Sequence, residues 1–141
     1  MFNHDGTKVV TASADKTAIV LNANTGEIIH TFKHSDAMIR SVSFSKDSSK
    51  LITGSDVSAK IWDLKTGNEI FTLPVKDIEN VGFSPDGSKV VTASWDDRKV
   101  IIWNALTGEK YKERTNPERS YFSAKFSSDG SKVLLENYCV P

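Results

Sequence analysis

The stretch Phe83–Gly108, FSPDGSKVVTASWDDRKVIIWNALTG, decides how the whole chain folds. A Ser-Pro-Asp-Gly turn leads into the β-branched run Val90-Val91-Thr92. A polar turn follows, then a second apolar run, Val100-Ile101-Ile102-Trp103, and then Thr107-Gly108. Short β-branched and aromatic runs bounded by Asp, Gly and Pro predict strand, turn, strand, turn.

The same unit recurs along the chain. Phe2-Asn3-His4-Asp5-Gly6-Thr7-Lys8, Phe44-Ser45-Lys46-Asp47-Ser48-Ser49-Lys50 and Phe126-Ser127-Ser128-Asp129-Gly130-Ser131-Lys132 match the turn that begins at Phe83. The anchoring phenylalanines lie 42, 39 and 43 residues apart. Thr-Gly pairs recur at Thr25-Gly26, Thr66-Gly67 and Thr107-Gly108, each 41 apart. A period of this length marks a repeat architecture in which each unit buries its faces against its neighbours.

Each unit predicts four short strands. The first ends at the phenylalanine (Ile39–Ser45, Val81–Ser84). The second is Val9–Ser13, Leu51–Thr53, Val90–Ser94 or Val133–Glu136, and the third is Ala18–Asn22, Ala59–Asp63 or Val100–Asn104. The fourth is Ile28–Phe32 or Ile70–Leu73, and more weakly Lys110–Glu113. No segment carries a helical period, so the fold class is all-β, a single array with units at about 1–32, 33–73, 74–114 and 115–141, the first and last incomplete.

Composition excludes several classes. The 18 basic and 18 acidic residues cancel, which gives no electrostatic case for nucleic acid or an anionic membrane. No apolar run approaches a membrane span, and the polar start Met1–Asp5 is unlike a signal peptide. Cys139 is the one cysteine, so no internal disulfide forms, and the expectation is an intracellular, cytoplasmic or nuclear protein. His4, His30 and His34 share no metal-ligand spacing, and no cofactor is expected.

Ile61-Trp62-Asp63 before a Thr-Gly turn, the Phe-Ser-Pro-Asp-Gly turn and the spacing together resemble the WD-repeat β-propellers. The Trp-Asp pair survives once; the other units have Leu21-Asn22 and Trp103-Asn104. The resemblance implies a propeller of about three to three and a half four-stranded blades, an incomplete ring. The expectation is therefore a portion of a longer propeller, with ring closure by two or more chains as the alternative.

In this family a histidine, a hydroxyl on strand two, a turn aspartate and a tryptophan form a structural hydrogen-bond network. Mapped here, the second unit supplies His34, Ser55, Asp56 and Trp62. The third supplies Ser94, Trp103 and Asp96 or Asp97, with its histidine slot at Pro74, and the first supplies Ser13 and Asp15 with Leu21 for tryptophan. The hydroxyl-to-tryptophan spacing is 8, 7 and 9 residues in the three units, differences that belong in turns because a slip inside a strand would reverse its faces.

The resemblance also implies partner binding on the face that bears the loops between strands four and one and between strands two and three. Met38, Arg40, Asp77, Glu79, Trp95 and Tyr121 correspond to it. Trp95 is the residue that the repeat does not require. The charged Tyr111-Lys112-Glu113-Arg114 reads as edge protection on an outer strand. The expected role is a non-catalytic scaffold that binds a protein or peptide. Self-association through open blade faces is a further reading. So is a substrate receptor for a cullin ubiquitin ligase, for which Trp62-Asp63-Leu64-Lys65 has Lys65 where an arginine is needed. A propeller enzyme is a last alternative, but the inner strands offer only Val42, Phe44, Val81 and Phe83 to a channel.

Overall fold

A computed structural model describes residues 1–35 and 37–139, and the described residues contain strands and turns but no helix. The end of the expected fourth unit, 140–141, and the side chain of Cys139 lie outside them. The strands are β1 Lys8–Ala12, β2 Thr17–Asn22, β3 Ile28–Lys33, β4 Ile39–Phe44, β5 Lys50–Ser55, β6 Ala59–Asp63 and β7 Glu69–Leu73. They continue as β8 Ile78–Phe83, β9 Lys89–Ser94, β10 Lys99–Asn104, β11 Lys110–Thr115, β12 Arg119–Phe126 and β13 Val133–Cys139.

Sequential antiparallel pairing gives the sheets β1-β2-β3, β4-β5-β6-β7, β8-β9-β10-β11 and β12-β13. Phe2 bridges Val9, a remnant of a first strand beside β1. The all-β reading and its repeated four-stranded sheet hold, as a partial propeller that does not close into a ring.

The turn after each first strand is held the same way. Ser45, Ser84 and Ser127 donate from Oγ to Asp47, Asp86 and Asp129 at 2.7, 2.6 and 2.6 Å, and each aspartate also accepts from the backbone two residues on. These bonds stabilise the ionised carboxylates, and all three pKa values drop to about 2, the serine hydroxyl bond being the largest cause. Ser84-Pro85 is thus part of a turn, as its sequence implied.

Apolar clusters lie between adjacent sheets. Val10, Val20 and Phe32 meet Ile39, Leu51 and Trp62 between the first and second, and Ile52, Ile61 and Leu73 meet Ile78, Val90 and Trp103 between the second and third. Val91, Ala93 and Val100 meet Tyr121 and Ala124 of the last sheet. The differing spacings do fall at the hairpin ends: the equivalent pairs Ala12↔Ala18, Gly54↔Ala59 and Ala93↔Val100 enclose five, four and six residues, while the ladders behind them keep their registers.

Adjacent units also interlock at their outer rims. His30 Nε2 donates to the Leu64 carbonyl oxygen at 2.9 Å, and its ring lies against Gly67. Phe71 occupies the corresponding place against Gly108, where an added Cβ would sit 2.8 Å from the ring in a backbone with φ +75°. Gly108→Ala therefore combines a left-handed backbone cost of about 1–2 kcal/mol with displacement of Phe71. It is expected to lower the denaturation midpoint measurably, whereas Gly26→Ala, with a similar φ but open space at its Cβ, incurs only the first cost.

Candidate functional site

The tryptophans of the third strands are tied to threonines. Trp62 Nε1 donates to Thr53 Oγ1 at 2.9 Å, and Trp103 Nε1 donates to Thr92 Oγ1 at 3.0 Å. His34 Nε2 shares Thr53 Oγ1 at 2.7 Å. The hydroxyl in the network is thus two residues earlier than Ser55 and Ser94. Those two positions lie on the same strand face as the threonines, which is why sequence alone chose the wrong member. Ser55 Oγ instead donates to the Ser58 carbonyl, and Ser94 Oγ is buried without a hydrogen-bond partner among the described residues.

Three further assignments change. Asp56 turns away from Thr53 and pairs with Arg40. Ser13 and Asp15 close their own turn, with Asp15 Oδ1 accepting from Thr17 N and Oγ1 at 3.0 and 2.5 Å. The strand registers Ala18↔Phe32 and Ala59↔Leu73 place Val75, not Pro74, where the second unit has His34. Val75 is buried in the cluster that holds Trp103, and Pro74 is exposed. Trp62 is buried and Asp63 Oδ1 caps Lys65 N and Thr66 N, so the Trp-Asp-x-Lys stretch is occupied by the fold.

On the loop face, Arg40, Asp56, Asp77, Glu79, Trp95, Asp96 and Phe122 line one cleft of about 420 Å³. Arg40, Glu79 and Phe122 occupy the same place in three successive units. Each is the extra residue of a β-bulge: pairing skips from Ile39 to Ser41, from Ile78 to Asn80 and from Tyr121 to Ser123. A bulge leaves one residue out of the ladder and re-aims its side chain. The preceding residues Ile39, Ile78 and Tyr121 are consequently all buried.

Tyr121, at 2% exposure, is therefore a core residue and not part of the loop face. Phe122 takes the place assigned to it. The signal was in the count from the anchoring phenylalanine: Arg40, Glu79 and Phe122 each stand four residues before Phe44, Phe83 and Phe126, whereas Tyr121 stands five before. Met38 is 38% exposed and does not line the cleft.

The cleft floor is braced. Arg40 Nε donates to Asp56 at 2.5 Å and its Nη1 to Glu79 at 2.9 Å, joining the second and third units. The Asp56 hydrogen bond, aided by the charges of Asp56, Glu79 and Asp77, raises the affinity of the guanidinium for its proton. Asp77, in a left-handed backbone at φ +50°, donates from N to the Asp56 carbonyl at 2.9 Å and accepts at its own carbonyl from Trp95 N at 3.1 Å. Trp95 is half-buried and Asp96 exposed at the rim. Four carboxylates and two aromatic rings thus line the cleft with one guanidinium, which pairs with Asp56 and Glu79.

A family model described as WD domain, G-beta repeat matches residues 26–63 and 67–104, more than half of the chain. Among curated proteins, the human apoptotic protease-activating factor 1 is 28% identical over 89% of this chain and 11% of its own length. The WD repeat-containing protein WDS homolog of Arabidopsis thaliana is 34% identical over 73% of this chain and 21% of its own. The serine-threonine kinase receptor-associated protein of Gallus gallus is 30% identical over 89% of this chain and 37% of its own. The chain spans well under half the length of each of these relatives. With its repeated four-stranded sheets and indole–threonine ties, this chain belongs to the WD-repeat family.

Proposed function

We propose that the chain is a non-catalytic protein-interaction scaffold whose loop-face cleft receives an extended segment of a partner protein. The observation that carries this reading is the cleft itself, built from the bulge residues of three successive units and braced by Arg40. Trp95 and Phe122 give apolar contact area, and aromatic residues in a desolvated recess are the usual anchors of an interface. Asp56, Asp77, Glu79 and Asp96 outnumber Arg40, so charge complementarity favours a partner segment that presents lysine or arginine. The name of one relative, the serine-threonine kinase receptor-associated protein, supports a role in assemblies.

The test uses synthetic peptides that are identical except for Arg, Glu or Ser at their central positions. The Arg peptide is expected to bind best and to weaken with added salt. Trp95→Ala is expected to cost about tenfold in affinity or more while the variant stays folded, because the half-buried side chain lies outside the apolar clusters. Equal binding of the Arg and Glu peptides, or no loss in Trp95→Ala, overturns the reading.

A further inference from the structure

A groove of about 610 Å³ follows β10 on its face toward the second sheet, from the turn at Asp97 to Gly108. Val75, Ile101 and Trp103, all buried, form its apolar floor. Lysines 76, 99 and 110 stand on its walls with Asp97 and Glu113. The two sheets that flank it, β4-β5-β6-β7 and β8-β9-β10-β11, each have all four strands.

Register shows how this place differs from its counterpart one unit earlier. Ile101 pairs with Thr92 and Glu113 as Lys60 pairs with Thr53 and Thr72, and Lys110 pairs with Trp103 as Glu69 pairs with Trp62. In the second unit, Lys60 Nζ stands 5.6 Å from the Trp62 ring centroid and donates to Glu69 and Thr72 Oγ1 at 2.5 and 3.1 Å. One cation and one anion cancel there. In the third unit, apolar Ile101 takes the place of that cation and Val75 the place of His34, while Lys110 reverses the charge at the place of Glu69. Three lysines then face two carboxylates across an apolar floor. Glu113 is held by Lys99 at 3.5 Å and Lys110 at 2.5 Å, whereas Lys76 is exposed and makes no ion pair with a described residue. Exposed pairs of this kind contribute little, so Lys99 and Lys110 change partners at small cost.

We propose that this groove is a second docking site, for an extended acidic segment of a partner protein that lays an aliphatic side chain on the floor between two carboxylates. In an extended chain, residues two apart share a face, so an acidic residue two positions to either side of the aliphatic one points the same way. The aliphatic side chain removes water from Val75, Ile101 and Trp103, and the carboxylates meet Lys76 and Lys110. The loop-face cleft selects the opposite charge, so the two sites take different segments and neither reading rests on the other.

The probe is a serine-rich synthetic peptide with a central leucine and glutamate two residues to either side. It is compared with peptides that carry lysine for both glutamates or serine for the leucine. The first peptide is expected to bind about tenfold or more tighter than either control, and to shift the backbone amide signals of Val75, Ile101, Gly108 and Lys110 while leaving Trp95 in place. Lys76→Glu, at an exposed residue outside every ion pair of the described residues, is expected to weaken that binding about tenfold, and Asp97→Asn is expected to strengthen it. Equal binding of the glutamate and lysine peptides, indifference to the leucine, no binding at about millimolar peptide, or shifts confined to the loop face each overturns the proposal.

Discussion

Trp62→Ala is expected to lower the melting temperature by about 10 °C or more, an effect that follows from its burial. The indole is 7% exposed between the first and second sheets, with its ring centroid 5.0 Å from Phe32 and 6.3 Å from His34. Removing a buried aromatic of this size costs about 3–5 kcal/mol through lost transfer energy and the cavity left behind. Total stability for a domain of this length is only about 5–15 kcal/mol, and a chain this size shifts a few degrees per kcal/mol. Trp62→Phe separates the two contributions: it keeps most of the packing and loses the Thr53 bond, at about 1 kcal/mol. Differential scanning calorimetry checks both, and a Trp62→Ala transition within a degree or two of wild type would mean that the first two sheets are not packed through this side chain.

The second large effect is a loss of stability on mild acidification, centred on His34. Its ring is 2% exposed, Nε2 contacts Thr53, and Nδ1 has no partner among the described residues. Burial, then the nearby charge of Lys60, depresses its pKa from 6.5 to about 4. Between these values the unfolded chain binds a proton at this histidine and the folded chain does not, so stability falls as pH drops through that window and is fully present above it. The slope is at most about 1.4 kcal/mol per pH unit. Asp47, Asp86 and Asp129 have folded pKa values of about 2 and add their loss progressively only below about pH 5, so the upper part of the histidine window stands alone. His34→Ala is expected to lower the melting temperature at pH 7 and to flatten the decline between about pH 6.5 and 4.5. An unchanged slope in that variant would place the titrating group elsewhere.

Most of the fold was legible because a repeat states each strand several times. Even β11, whose six residues are all exposed, was placed by counting from the Thr-Gly turn, although its range extends to Thr115. What escaped were choices between residues one or two apart. Thr53 and Ser55 share a strand face and a chemistry, and only distance shows which of them meets the indole. Pro74 was reached by counting back from Phe83, but the connections Lys33–Ile39 and Leu73–Ile78 differ in length, so the strand register, not the count, identifies Val75. Tyr121 was displaced from the loop face by a bulge, a feature with no signature in a single unit but visible when three units are aligned on their phenylalanines.

Trp62 and Trp103 lie buried between adjacent sheets, and the proposed function gives Trp95 to a partner. Their indole N–H signals in a two-dimensional nitrogen–proton NMR spectrum test this division directly, during titration with the arginine-bearing peptide. The Trp95 signal is expected to move with added peptide while those of Trp62 and Trp103, bonded to Thr53 and Thr92, stay in place. A stationary Trp95 signal under conditions where the peptide binds, or shifts confined to Trp62 and Trp103, would contradict that division.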